Sequence, residues 1–152
     1  MTRRALSVIP ALGLAVLVLG PALGPGYVLL YDMVFVRRQD LLPASVGLGG
    51  QLPRAVPQDA VLAALTAIAP GSVWQHLALV GAVAGGALGA AHLLRGTGAA
   101  ARAAAAVLFV WSAFFAERLL LGSWSLLVAV AVMPWALSAA IEVRRSAPGA
   151  VG

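Results

Sequence analysis

The chain has 152 residues, of which 62% are hydrophobic and 10% are charged, and its mean hydropathy is +0.98. A soluble domain of ordinary composition carries about 25% charged residues, so this composition excludes that class and predicts an integral membrane protein. The formal net charge of +5 comes from arginines that are dispersed at the ends of apolar runs, which argues against nucleic-acid binding. Cysteine is absent, which excludes disulfides and thiolate metal sites.

The first apolar run is uncharged from Ala5 to Tyr31, long enough to cross about 30 Å of hydrocarbon as a helix. We predict a first span at about 6–30. A cleaved signal peptide is the competing interpretation, because two arginines precede the run and residues 22–24 resemble a cleavage site. We favour a retained span, because the apolar run continues past that site and Pro25 would hinder cleavage.

A long segment at 31–72 follows the first span, and we predict that it forms the first extracytoplasmic loop. Its middle part is rich in glycine and proline. Its last part, Asp59 to Ala69, has the pattern of a short apolar helix that would lie along the membrane surface. Connections of this length are uncommon, and they tend to be functional or to contain helices of their own.

Three further spans are predicted after the loop. Their approximate ranges are 73–94, 98–116 and 120–141. We therefore predict an all-α integral membrane bundle of four transmembrane helices. It would form a single membrane domain over 1–145, followed by a flexible cytoplasmic tail at 146–152.

Three glycines of the second span, Gly81, Gly85 and Gly89, recur at four-residue intervals. This spacing places them on one face of a helix. Because glycine has no side chain, this face should form a groove that another helix can approach closely. We read it as a packing feature.

The arginines predict the orientation of the chain. With the amino terminus in the cytoplasm, the cytoplasmic side holds six arginines and one acid, whereas the outer side holds four arginines and four acids. Because arginine is enriched in cytoplasmic loops, we predict a multi-pass protein of the cell membrane with both termini in the cytoplasm. The cytoplasmic set is Arg3, Arg4, Arg95, Arg102, Arg144, Arg145 and Glu142, and the outer set is Arg37, Arg38, Arg54, Arg118, Asp32, Asp40, Asp59 and Glu117.

Asp32, directly after the first apolar run, is the first candidate functional residue. A carboxylate in hydrocarbon costs about 2.5–3.5 kcal/mol, so it should lie at the water boundary or beside a cation. Two interpretations stay open. Asp32 either fixes the depth of the span, or it lies at the rim of a cavity and takes a proton from a hydroxyl or ligates a divalent metal. Asp40 has the same two interpretations.

Two pairs of outer residues also have two interpretations each. Arg37 and Arg38 are either solvated charges that pair with the aspartates, or a binding site for a lipid phosphate, whose oxygens the guanidinium fork contacts bidentately. Glu117 and Arg118, at the predicted turn between the third and fourth spans, either anchor that turn or face the same cavity as Asp32. The sequence contains no nucleotide-binding loop, Ser/His/Asp set or paired-histidine metal motif, which argues against a soluble-type active site.

Three stretches, YDMVFVRRQDLLP, LPRAVPQDAV and VWSAFFAERLLLGSWSLL, together resemble the amino-terminal part of actinobacterial polytopic membrane proteins of the C-type membrane glycosyltransferase superfamily. In that superfamily the first outer loop carries acidic residues at the active site, and the donor is a sugar on a polyprenyl phosphate. The resemblance implies Asp32 as the first-loop acid, with Asp40 a second choice. It implies lipid-phosphate contacts for Arg37, Arg38 and Arg118, and it places Glu117 at the cavity rim.

The resemblance covers nearly the whole of this chain but only part of the family, whose members are similar to bundles of seven or more spans. We therefore expect the amino-terminal module or a truncated form of a glycosyltransferase-like protein, which needs further membrane helices from the same or another chain and has little activity alone. The alternative is a non-enzymatic four-span scaffold or assembly partner. A transporter fragment is less favoured, because no charge lies near the centre of a predicted span.

Overall fold

The structure is a computed structural model that describes residues 5–48 and 55–146, apart from the side chains of residues 5–9 and 21. The described residues form helices and no β-strand, which confirms the predicted all-α class. The α-helices are α1 (Ala5–Leu19), α2 (Gln58–Ile68), α3 (Gly71–Leu93), α4 (Ala99–Val110), α5 (Ala113–Leu120) and α6 (Trp124–Ser146), with short 3₁₀ helices at Gly20–Leu23 and Pro43–Val46.

Three segments of the described chain are long and apolar enough to cross a membrane. They are α3, the consecutive pair α4 and α5, and α6, with 23, 22 and 23 residues. They lie where the second, third and fourth spans were predicted, at 73–94, 98–116 and 120–141. The chain therefore has the architecture expected of an integral membrane protein.

The first span differs from the prediction of one helix over 6–30. Helix α1 ends at Leu19, and only the 3₁₀ helix Gly20–Leu23 continues it. Gly20 ends α1, because its φ of +41° cannot continue a right-handed helix, and Pro21 follows it. Further along, Gly26 has a φ of +112°, which also excludes a helix there. The helical part is about 30 Å long when the 3₁₀ turn is included. Because α1 is not among the three segments above, a crossing of the membrane by α1 stays a prediction.

The third span is divided at Trp111, where α4 ends, and α5 begins after Ser112. The Ser112 hydroxyl accepts a hydrogen bond from the Phe115 N–H at 3.3 Å and donates to the Phe109 carbonyl at 3.0 Å. This side chain therefore acts as the N-cap of a new helix inside the apolar run. Helix α5 continues to Leu120, beyond the predicted end at 116, so Glu117 and Arg118 lie in a helix rather than in the turn.

Helix α3 is the centre of the bundle, with α1, α4 and α6 packed around it. Small residues allow the close approach. A Cβ added at Gly86 would lie 2.5 Å from the Phe109 ring, and one at Gly89 would lie 2.6 Å from the Trp135 indole nitrogen. The predicted glycine groove is therefore filled at Gly89. At Gly81 and Gly85 a Cβ would meet no atom within 4 Å, so this part is open.

The end of the bundle that carries the α3–α4 connection is joined to the end of α6. The Arg95 guanidinium forms an ion pair with the Glu142 carboxylate at 2.5 Å. His92 stacks on Trp135 with the ring centres 5.1 Å apart. Both ion-pair side chains are well exposed, so the pair contributes about 0–1 kcal/mol and mainly fixes how the two ends meet.

The predicted loop at 31–72 has mixed outcomes. Helix α2 lies where a helix was predicted at Asp59 to Ala69, and the Trp74 indole N–H of α3 donates to its Leu65 carbonyl at 2.7 Å. Its position along the membrane surface stays a prediction. Part of the glycine-rich stretch, residues 49–54, lies outside the described residues. So does the predicted tail, except Ser146, which belongs to α6.

Candidate functional site

The segment after α1 crosses one end of the bundle and contacts the turn between α5 and α6. The Asp32 N–H donates to the Leu121 carbonyl at 3.2 Å, and the Met33 N–H closes a tight turn on the Leu30 carbonyl at 2.6 Å. Met33 is fully buried, whereas the side chain of Asp32 is exposed. The backbone of Asp32 is thus fixed to the bundle while its carboxylate stays in solvent.

Gly122 makes this contact possible. Its φ is +73°, and an added Cβ would collide with the Leu30 carbonyl and lie 2.8 Å from the Met33 Cβ. Beside it, the buried Phe35 ring packs on Trp124 with the ring centres 5.0 Å apart. The YDMVF stretch therefore packs directly on the LGSW stretch.

A second contact joins the following residues to α2 and α3. The Gly71 N–H donates to the Arg37 carbonyl at 3.2 Å, and the Gln39 N–H donates to the Thr66 hydroxyl at 3.0 Å. A Cβ on Gly71 would collide with the Val36 carbonyl. Thus the loop that carries the two arginines is held by its backbone.

A third contact is made by a residue that sequence reasoning missed. Gln75 is fully buried, its side-chain oxygen accepts from the Val28 N–H at 2.9 Å, and its amide donates to the Val28 carbonyl at 2.6 Å. Next to it, the two ring nitrogens of His76 lie 2.7 Å from the Ser72 carbonyl and 3.0 Å from the Gly24 carbonyl. The available signal was an amide side chain in a largely apolar span, a residue type that needs a hydrogen-bond partner there.

The charged candidates are brought to one end of the bundle but not into one cavity. Arg37 and Arg38 line a shallow groove of about 540 Å³ with residues 66–70, and the lining of this groove does not include Asp32, Asp40 or Arg118. Within residues 5–48 and 55–146, neither aspartate forms an ion pair with Arg37 or Arg38. The structure therefore does not pair Arg37 or Arg38 with Asp32 or Asp40.

Glu117 and Arg118 lie on α5, one turn before the Leu121 carbonyl that holds Asp32. The Arg118 Nη2 lies 3.6 Å from the Glu117 carboxylate, and its Cζ lies 5.5 Å from the centre of the Phe114 ring. The Arg118 Nε is buried without a hydrogen-bond partner among the described residues. Arg118 therefore keeps unused donor capacity beside the Asp32 turn.

The described residues do not fit a divalent metal at Asp32. They include no group of three or more His, Asp or Glu side chains placed to hold a metal ion. Hard cations take six or more oxygen ligands, or several waters with one or two carboxylates. One exposed carboxylate does not supply that set, so no chemical step is assigned to a metal.

Comparisons with known protein families, with curated proteins and with solved structures found no match in any of the three. The membrane class therefore rests on the composition and on the three apolar helices. The resemblance to C-type glycosyltransferases stays a prediction.

Proposed function

We propose that this chain is the amino-terminal membrane module of a glycosyltransferase-like protein that acts on polyprenyl-phosphate-linked sugars at the outer face of the cell membrane. The observation that supports the proposal is that the stretch with Asp32, Arg37 and Arg38 is hydrogen-bonded to the stretch with Glu117 and Arg118 and to the start of α3. Asp32 binds the α5–α6 turn through its N–H, and Arg37 binds the start of α3 through its carbonyl. Residues far apart in sequence are thus held as one exposed, charged end.

Asp32 is the proposed general base. It lies at the end of an apolar segment with an exposed carboxylate, and the preceding Tyr31 has a φ of +32°, a strained value for a bulky residue. Such strain is typical of functional positions. In the reaction, the acceptor hydroxyl oxygen attacks the anomeric carbon while its proton passes to the carboxylate, and the bond from that carbon to the phosphate oxygen breaks.

The arginines are the proposed phosphate contacts. When polyprenyl phosphate leaves, charge develops on its oxygens, and Arg37 and Arg38 would bind them as charge-assisted donors, with Arg118 as a third. Asp40 is also exposed, and it is the second candidate for the base. Further membrane helices, from the same or another chain, would complete a cavity around these residues.

An Asp32→Asn substitution tests the proposal. Membranes that contain the chain together with its natural partner helices are supplied with a radiolabelled polyprenyl-phosphate sugar, and transfer of label is measured. Because a general base contributes about 10²–10⁴-fold to rate, we expect Asp32→Asn to lower transfer by that factor. Arg144→Gln, at the far end of α6, is the control and should have no effect. Wild-type transfer by Asp32→Asn at equal protein levels would exclude the assignment.

A non-enzymatic scaffold or assembly partner is the second candidate. It is favoured by the large exposed faces of two spans, on which other membrane chains could pack. Only 11% of the most apolar part of α4–α5 and 22% of that of α6 is buried. It predicts that Gly85→Leu abolishes crosslinking to neighbouring membrane chains, while alanine at both Asp32 and Arg37 leaves growth and transfer unchanged.

A further inference from the structure

A cavity of about 510 Å³ lies between α1, α3 and α4, at the end of the bundle opposite Asp32. Its walls include Leu14 and Leu17 of α1, Leu88 of α3, and Ala103 and Val107 of α4. Small residues leave it unfilled, and a Cβ added at Gly13 of α1, which also lines it, would meet no atom within 4 Å. Its volume falls within the range of about 300–1,000 Å³ that is usual for ligand pockets.

Among the residues that the structure describes, one charged residue, Arg102, lines this apolar cavity. It is half-buried in the first turns of α4, and its Nε donates to the Ala91 carbonyl in the last turns of α3 at 3.3 Å. That bond holds the Arg102 side chain at the cavity. The alternative role of Arg102 is structural, as a cap for the carbonyl end of α3.

The cavity is open towards the surroundings of the bundle, because Leu17, Ala103 and Val107 line it and are exposed. For helices that cross a membrane, those surroundings are lipid. A helix about 10 Å across would fill this volume with roughly one turn, whereas a flexible hydrocarbon chain can follow the gap along the helices. A cation near the hydrocarbon boundary is also stabilised by an anionic headgroup.

We propose that this cavity binds one acyl chain of an anionic glycerophospholipid, whose phosphate contacts Arg102. The lipid comes from the leaflet on the side of the α3–α4 connection. The apolar walls hold the chain and the arginine selects the charge of the headgroup, so the site serves to bind a lipid of one class and is separate from the outer-face residues.

The test measures lipid binding to the full chain by native mass spectrometry, with dioleoyl phosphatidylglycerol and dioleoyl phosphatidylcholine as probes. We expect phosphatidylglycerol to bind about tenfold more tightly, and Arg102→Gln to remove that preference, because the charge-assisted contact is lost. Ala103→Phe, which fills the cavity, should weaken binding of both lipids about tenfold. Ala101→Phe, on an exposed position of the same helix that does not line the cavity, and Arg144→Gln should bind as the wild type does.

A photoreactive phosphatidylglycerol with a diazirine in its acyl chain gives a measurement that needs no variant. Label in peptides that contain residues 10–17 and 99–107 supports the site, and label confined to α6 overturns it. Unchanged lipid binding by Ala103→Phe also overturns it, as does an equal loss from Arg102→Gln and Arg144→Gln, which would indicate unspecific surface charge. If Ala103→Phe instead breaks a dimer and lipid binding persists, the occupant is a second copy of this chain and the proposal is wrong.

Discussion

At the scale of single residues, Gly122 sets the conformation of the α5–α6 turn and leaves room for the segment that carries Asp32. Both its positive φ and the collision of a Cβ with the Leu30 carbonyl require glycine. Glycine at this place in the sequence indicated a turn, but its long-range contact could not be predicted, because nothing local identifies the partner.

We expect Gly122→Ala to lower the free energy of unfolding by about 1–3 kcal/mol, since it adds backbone strain and moves Leu30 and Met33. Thermal unfolding in detergent, followed by near-ultraviolet circular dichroism, measures the change. Gly96→Ala is the matched control, because a Cβ there meets no atom within 4 Å and its φ is not in the left-handed region. Equal stability of the two variants would contradict the contact at Gly122.

Gln75→Leu should release the segment around Val28. The substitution leaves a backbone N–H and a carbonyl without their partners, and an unmade buried hydrogen bond costs about 1–3 kcal/mol. We expect faster amide hydrogen exchange in the peptide that contains Val28. Gln39→Leu is the control, because Gln39 binds Thr66 through its backbone N–H and not its side chain. Unchanged exchange in Gln75→Leu would show that the amide does not hold the segment.

At the scale of elements, charge-free runs were good predictors of α3 and α6. The run that ends near Leu94 gave a helix whose bounds lie within two residues of the expected 73–94, and the run that ends near Glu142 gave one shifted by four to five residues from 120–141. The same reasoning failed for α1, because hydropathy does not register the backbone effect of Gly20 and Pro21 on a helix. It also missed the break at Ser112, since a capping serine does not interrupt an apolar run.

Ser112→Ala tests the origin of that break. Loss of an N-cap costs about 0.5–2 kcal/mol, so the free energy of unfolding should fall by about 1 kcal/mol. Denaturant unfolding in mixed micelles measures it. Ser125→Ala, at an exposed position in the first turn of α6, should leave stability unchanged. If the two alanine variants behave alike, the break has another cause.

At the scale of the whole molecule, the orientation can be tested directly because the chain lacks cysteine. Val46 and Ser146 are both exposed and uncharged, so cysteine at either position preserves the arginine distribution. We expect a membrane-impermeant maleimide to label Val46→Cys in intact cells, and Ser146→Cys only after permeabilisation. The reverse pattern would invert the predicted orientation. Labelling of both positions from outside would show that an even number of segments, and not the predicted three, crosses the membrane between them.

The candidate site illustrates what sequence can and cannot supply. Residue chemistry identified Asp32, Arg37 and Arg38 as the unusual charges of the predicted outer loop. The structure places all three at exposed positions, and the backbones of Asp32 and Arg37 are hydrogen-bonded to distant segments. Their arrangement was not predictable, because it depends on Gln75, Gly71 and Gly122, each of which binds or admits a distant segment. Apolar periodicity carries no information on such pairings.

The bond between Asp32 and Leu121 also determines an order of assembly. During synthesis, residue 32 leaves the ribosome long before residue 121, whereas α3 and α4 meet through a short connection as soon as both are made. Asp32 can therefore bind the Leu121 carbonyl only after α5 and the Gly122 turn are in place. A nascent chain stopped after α3 but before that turn could hold this segment only through its contacts with Thr66, Gly71 and Gln75, so the anchor at Asp32 forms last.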